Sequence, residues 1–481
     1  MNSTTQSFAL ATAVLGLSLS ATAQFTPGNL VVLRVGTGTG ALSGVATATF
    51  LDEYTPSGTL VQSVAMPTAV NGANRACTNS GSATSEGLLT QSADGRYLMV
   101  AGYDAAPGTT GVASTASATV NRVIARIALD GTIDTSTAIP DALSGNNIRA
   151  AASEDGSIHW ATGGNGGVVL AFHGGNSGTS LNTSLPTNLR GIGIYGGQLF
   201  ISTGSGTARG IYAVGSGLPT TAGQTLGVLT GLSSSVGSPY DFFFADASTC
   251  YVADDRTSGS LGGIQKWTES GGTWTLQYTL STGATFGARG LSGIVNGGVA
   301  TLYATMTNNQ LVTVTDTGPA SAFTLLTPAA ANTAFRGVRF VRQPFGLEVA
   351  GWASPTTVGD PTLSTSGGRP VVGNSNFEFT IGNLIPNGFG FLLIGIGGFA
   401  PATVVPGAPI SVEIYVNPLA TPLVLADPVG AASHPLPIPA ANSLAGLPLP
   451  TQLLAFDPAL NFPAPIGSST GLKVTIGQAG Q

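Results

Sequence analysis

Residues 335–344 read FRGVRFVRQP, with Arg336, Arg339 and Arg342 in a chain that has only 16 lysines and arginines among 481 residues. The stretch has the composition of one β-strand, ends a repetitive region, and has no partner strand after it. A lone strand would leave a row of unpaired amide groups, so its partner has to lie elsewhere in the chain. Where that partner lies decides the fold.

The region before it repeats a four-strand phrase. The first two strands read EGLLTQSADGRYLMVAGY (86–103), IRAAASEDGSIHWATG (148–163), LRGIGIYGGQLFISTG (189–204), YDFFFADASTCYVADD (240–255) and ARGLSGIVNGGVATLYATM (288–306). Asp94-Gly95, Asp155-Gly156 and Gly196-Gly197 supply the hairpin turns, because these residues tolerate positive φ. A third and a fourth strand follow each time, among them NRVIARIAL with TIDTSTAI and GGIQKW with WTLQYTL. Units of this length have the spacing of propeller blades. The N-terminus supplies NLVVLRV (29–35), ATATFLDEY (46–54) and TLVQSVAMP (59–67), which match strands two, three and four of a unit whose first strand is missing. FRGVRFV matches that missing strand. The expectation is an all-β six-bladed β-propeller, closed by N- and C-terminal strands within one blade. A further blade inside the insertion at 104–118 is the alternative count.

Composition agrees. Charged residues are 8% and hydrophobic residues 42%, with 69 glycines, which argues for short strands and turns and against disorder. With a net charge of −6 and no basic cluster, a phosphate-tracking surface is excluded, and no nucleic-acid partner is expected. The N-terminal MNSTTQSFALATAVLGLSLSATAQ has an apolar run and Ala21-Thr22-Ala23 before Gln24, so residues 1–23 read as a signal peptide and the protein as secreted or held at the cell surface. Its n-region lacks Lys and Arg. GFGFLLIGIGGFAPATVV (388–405) is too rich in Gly and Pro for a membrane helix and reads as buried strands, so no span is expected in the mature chain. Cys77 and Cys250 either pair or remain as buried thiols.

After Pro344 the phrase stops. Residues 24–344 form the propeller region, 345–361 read as a linker, and 362–481 turn proline-rich. Short runs such as NFEFTIG, GFLLIG and GLKVTIG there suggest a small antiparallel β-sandwich. On these repeats the chain resembles secreted bacterial six-bladed β-propeller repeat proteins. The tail, with GNSNFEFTIGN and QLLAFDPALN…SSTGLKVTIG, resembles an accessory β-sandwich at the C-termini of exported bacterial proteins. The resemblance implies fold and export more than activity.

Aligning the first strands puts one charged residue near each start: Glu86, Arg149, Arg190, Asp241, Arg289 and Arg336. First strands line a propeller channel, so these six are the candidate channel-mouth ligand site, suited to a carboxylate or another planar oxyanion. The competing reading is structural, four arginines and two acids neutralising one another. Because a one-residue slip turns a side chain to the other face, the register decides membership, and it puts Arg339 on the face opposite Arg336. His159, His173 and His434 lack metal-ligand spacing. Asp104, Asp246, Asp254 and Asp255 end strands and leave calcium possible, with solvated turn acids the simpler reading. No other cofactor is expected. GSSTG (467–471) and GIGIYG (191–196) match nucleophile-elbow and dinucleotide patterns but open no helix. Trp160, Trp267, Trp274 and Trp352, with Tyr240 and Tyr251, read as packing residues or as sugar platforms.

The functional expectation is a non-catalytic binding or adhesion scaffold for an extracellular anionic small molecule, a polysaccharide or a surface protein. The runner-up is a propeller hydrolase or polysaccharide lyase, lactonase-like, with Glu86 or Asp241 as base. A polymerising surface-layer subunit is a third reading.

Overall fold

The structure is a computed structural model that describes residues 24–232, 237–283, 285–405, 412–460 and 465–478. The signal segment 1–23 lies outside the described residues. The fold is all-β and propeller-like, with many four-stranded antiparallel sheets. Sheet I joins Ala334–Phe340 to Leu30–Val35, Thr49–Tyr54 and Leu60–Ala65. Sheet II holds Thr90–Gln91, Tyr97–Tyr103, Arg122–Ala128 and Ile133–Ile139, and sheet III holds Ile148–Ser153, Ile158–Gly163, Val169–Phe172 and Thr179–Ser180. Sheet IV comprises Ile192–Tyr195, Gln198–Thr203, Gly210–Val214 and Leu226–Val228. Sheet V comprises Pro239–Asp246, Thr249–Asp254, Gly263–Ser270 and Thr273–Leu280, and sheet VI Ala288–Asn296, Val299–Met306, Gln310–Thr315 and Thr324–Pro328. The insertion at 104–118 carries one 3₁₀ turn, Val112–Ser114, and adds no strand.

The lone strand finds its partner where the repeat places it. Ala334–Phe340 pairs antiparallel with Leu30–Val35, with Leu30 opposite Phe340 and Val35 opposite Ala334. Each sheet is apolar on both faces because successive side chains alternate sides. In sheet II, Leu98 and Val100 pack toward sheet I, while Met99 and Ala101 pack toward sheet III. Such clusters fill the gap between every successive pair of sheets. The last pair is sheet VI with sheet I, where Tyr303 and Leu311 meet Leu30, Val32, Phe335 and Val338. The sequence of cores therefore returns to its starting point.

Neighbouring sheets approach to backbone contact at the charged ends of their first strands. The Gly337 amide donates to the Gly87 carbonyl at 2.9 Å, and the Leu88 amide to the Arg149 carbonyl at 3.1 Å. A Cβ on Gly337 would lie 2.0 Å from the Leu89 nitrogen, and one on Gly290 would lie 2.7 Å from the Arg336 carbonyl. The recurring Arg-Gly step thus has a steric cause. Hydroxyls of the second strands staple the same places: Thr162 Oγ1 donates to the Arg190 carbonyl at 2.6 Å, Ser202 Oγ to Tyr240, and Thr305 Oγ1 to Arg336. The pairing also bulges there, at Arg149, between Pro239 and Phe242, and at Arg289.

The remaining chain forms a second set of sheets. One runs in the order 346–350, 471–475, 448–456, 389–394 and 423–425, with 466–468 paired to 448–456. The other contains Thr362–Ser366, Glu378–Gly382 and Ala432–Pro435. Phe377, Phe379, Leu392, Leu453 and Val474 belong to one core shared by both. The linker expectation for 345–361 is corrected in part. Gly346–Ala350 is an edge strand on Gly471–Thr475, held by a Glu348–Lys473 ion pair at 2.5 Å. No described helix is long and apolar enough to cross a membrane, and Phe389–Ile394 of the glycine-rich stretch is a strand.

The close approach at Gly337 is testable. Gly337→Ala is expected to lower the unfolding free energy measured in urea by roughly 3 kcal/mol, through overpacking against backbone. Gly227→Ala, where an added Cβ meets nothing within 4 Å, is expected to change stability by less than about 0.5 kcal/mol.

Candidate functional site

Five of the six aligned charges lie near one another at the starts of the first strands. Glu86 is fully buried, and its carboxylate accepts from the Ser80 amide at 2.7 Å, Tyr103 Oη at 2.7 Å and Asn147 Nδ2 at 3.2 Å. Arg149 Nη1 donates to Asn188 Oδ1 at 2.6 Å and to the Leu189 carbonyl at 2.8 Å. Arg190 Nη1 reaches Ser238 Oγ and the Pro239 carbonyl, both at 2.9 Å. Arg289 Nε stands 3.6 Å from Asp255, an ion pair beyond hydrogen-bond reach. Arg336 Nη2 donates to the Gly81 carbonyl at 2.9 Å. Three guanidiniums keep a donor in reserve: Nε of Arg149, Arg289 and Arg336 is buried with no hydrogen-bond partner.

Burial shifts three of these groups, Arg149, Arg336 and Glu86. Burial and then the like charge of Arg190 bring Arg149 down to about 10. Burial brings Arg336 down to about 10, with Glu86 opposing and Arg289 adding to the fall. Burial raises the Glu86 carboxyl above its ordinary range, against its three hydrogen bonds and the charge of Arg336.

Asp241 is placed differently from the expectation. Its carboxylate accepts from the amides of Phe242 at 2.9 Å and Leu291 at 3.1 Å, and lies 3.5 Å from Arg339. The position equivalent to Arg190 and Arg336 belongs to Tyr240, whose carbonyl receives the Ser202 staple. The Tyr240 ring lies between two cations, 4.0 Å from Arg190 and 5.6 Å from Arg289. Aligning by charge slipped by one residue, because the bulge rather than the charge defines the register.

The bulge also moves Arg339. Between Val32–Val338 and Arg34–Phe335, two steps on one strand match three on the other. Arg336, Arg339 and Arg342 consequently all reach the same neighbouring segment, donating to the carbonyls of Gly81, Leu89 and Ser92. Arg339, expected on the face opposite Arg336, lies instead with Arg342. They line a cavity of about 540 Å³ together with Asp241 and with Val372 and Gly373 of the C-terminal sheets.

Other candidates resolve individually. His159 Nε2 and His173 Nδ1 come to 3.4 Å through a hairpin, and His173 lies 3.2 Å from Asp134. Burial pushes His159 down to about 3, which leaves its ring neutral. Asp104 pairs with Arg75, Asp254 with Arg256, and Asp246 caps a turn at Ser248. Among the described residues no group of three His, Cys, Asp or Glu is placed to hold a metal. Cys77 and Cys250 are buried and unpaired. Trp160, Trp267 and Trp274 are buried, and Trp352 is exposed.

No family model and no curated protein sequence matches the chain. Among solved structures it is similar to one from a nidogen/laminin complex, with 12% identity over 65% of this chain and 97% of that one, and a TM-score of 0.37. A putative 6-phosphogluconolactonase from Bacteroides uniformis has 11% identity over 82% and 99%, with a TM-score of 0.34. The GH74 enzyme of Niastella koreensis has 13% identity over 90% and 72%, with a TM-score of 0.36. These likenesses are of fold and carry no activity to this chain.

Glu86 gives a pH test. A carboxyl raised by the fold contributes stability that is fully present below its unfolded value of about 4.3 and is lost as pH rises through the folded value. From pH 4 to 7 the native chain is expected to lose stability relative to Glu86→Gln in urea unfolding. Parallel curves would contradict the assignment.

Proposed function

We propose that the protein is an exported, non-catalytic binding scaffold. In this reading residues 1–23 direct export, 24–344 form a six-bladed propeller closed by the Ala334–Phe340 strand, and a β-sandwich begins at Gly346. The return of the interleaved cores to sheet I supports the closed ring, and the core shared by two sheets supports the sandwich. The N-terminal apolar run with its small-residue cleavage site supports export.

The ligand site we propose is the channel mouth, with Arg149, Arg190, Arg289 and Arg336 as its cations and Tyr240 in the place first given to Asp241. One observation carries this: the buried Nε donors of Arg149, Arg289 and Arg336 make no hydrogen bond, and only that of Arg289 has a carboxylate near it, Asp255 at 3.6 Å. A planar oxyanion such as a uronic-acid carboxylate satisfies such donors and supplies the missing counter-charge. The hydrolase or lyase reading requires a carboxylate at liberty to take a substrate proton. Glu86 already accepts three hydrogen bonds, and Asp241 accepts two amides beside Arg339. Occupied acids beside spare donors favour holding an anion over transforming it.

A thermal-shift titration with glucuronate tests the reading. Ligand at about ten times its Kd adds roughly 1.4 kcal/mol and raises Tm by a few degrees. The rise is expected to disappear in Arg289→Ala. An unchanged rise in that variant, or none in the native chain, counts against the mouth as the site.

A further inference from the structure

The cavity of about 540 Å³ lies away from the mouth, at the far ends of the first strands. Arg336 marks the mouth, and Arg342 lies six residues further on, about 20 Å along an extended chain. The C-terminal sheets close this end. Val372, Gly373, Ala440 and Gln478 line the cavity from their side. The two bodies are tied by Arg369 with Glu154, by Arg96 Nη2 to the Leu347 carbonyl at 3.3 Å, and by the Phe345 amide to the Asp94 carbonyl at 2.8 Å. The volume falls within the range of small-molecule pockets, about 300–1,000 Å³.

The charges lining it are Asp241, Asp246, Arg339 and Arg342. Three are accounted for within the chain. Asp246 accepts the Ser248 amide and hydroxyl at 2.8 Å, and Arg339 lies 3.5 Å from Asp241 and donates to the Leu89 carbonyl. Arg342 differs. Its guanidinium meets only neutral oxygens within hydrogen-bond reach, Gln91 Oε1 at 3.4 Å and the Ser92 carbonyl at 3.2 Å. Nearby Arg339 and Arg369 add like charge, which Asp94 only partly offsets. A largely buried cation facing a cavity without a contacting carboxylate is a seat for an anionic group.

The uncharged lining mixes polar Thr90, Gln91 and Ser292 with an apolar wall of Ile192, Ile194, Phe242 and Ile294. Tyr195 and Phe244, stacked at 4.9 Å, line both this cavity and a groove that runs between sheets IV and V to Phe200 and Trp274. One continuous surface thus leads from Arg342 to an open aromatic groove.

We propose that this cavity binds a carboxylate-bearing amphiphile, its head on Arg342 and its chain along Tyr195 and Phe244. The ligand is a medium-chain acyl carboxylate, and its site is separate from the proposed mouth. Arg342 grips the head by the bidentate geometry that guanidinium offers a carboxylate, and the tail is held by burial of apolar surface. The C-terminal sheets supply the floor of the pocket, so the two bodies hold it jointly.

The test uses the full mature chain and decanoate below its micelle concentration, followed by calorimetry, with decanol and decyltrimethylammonium as controls. Saturable one-to-one binding of decanoate is expected, with decanol at least tenfold weaker and the cation silent. Arg342→Gln should weaken decanoate tenfold or more while Arg342→Lys retains part of the affinity. Val372→Trp, which fills the cavity from the other body, should abolish binding with an unchanged circular dichroism spectrum. Arg289→Ala should bind decanoate as the native chain does, which separates this site from the mouth. Equal binding of decanol and decanoate, indifference to Arg342→Gln and Val372→Trp, or loss of decanoate binding in Arg289→Ala would each overturn the proposal.

Discussion

The antiparallel pairing of residues 334–340 with residues 30–35 is the contact on which the arrangement of the other sheets rests. Every sheet in the repeat region is apolar on both faces and is stable only between two neighbours. Without this pairing, sheet I would lack its inner strand, and its core with sheet VI would lose Phe335, Val338 and Phe340. The chain ends of the repeat are therefore joined by hydrogen bonds and by a shared core at once. The same segment carries Arg336, Arg339 and Arg342, so the pairing also places the charges along the closing strand and just beyond it.

The Arg-Gly step links architecture to chemistry. Glycine at 290 and 337 lets the next sheet pass at backbone distance, and the preceding arginine stands in a bulge held by a hydroxyl from a neighbouring strand. The backbone there is fixed by contacts on both sides, and the guanidinium inherits that rigidity. Nε makes no hydrogen bond at Arg289 and Arg336 of these steps, nor at Arg149, which precedes an alanine. The geometry that packs the sheets thus also presents unspent positive charge, at low cost in side-chain entropy.

The repeat was legible because turn residues and apolar runs obey local rules. Asp94-Gly95 and Gly196-Gly197 sit at positive φ as hairpin turns demand, and each quoted strand appears in its sheet. Register at the strand starts was not legible to the residue. A bulge depends on a neighbouring sheet that no local pattern shows, so the alignment chose Asp241 where the structure has Tyr240, and Arg339 was assigned the wrong side. A signal did exist: glycine follows Arg190, Arg289 and Arg336, and none follows Asp241. The Gly346–Ala350 edge strand was missed because three of its five residues in succession are exposed and its partner lies over a hundred residues later.

The two ends of the first strands then differ by construction. One is a cluster of arginines around Tyr240, and the other is a cavity of mixed lining with Arg342, walled on one side by Val372 and Gly373. Both depend on the register of the closing strand. The most direct test is a cysteine pair at Val32 and Val338, opposite each other in that ladder, in a chain where Cys77 and Cys250 are replaced by alanine. Mild oxidation of the folded protein should consume both thiols in an intramolecular disulfide, while a pair at Val32 and Phe340, two residues out of register, should remain reduced. Cross-linking of the second pair and not the first, or of neither, would contradict the closure.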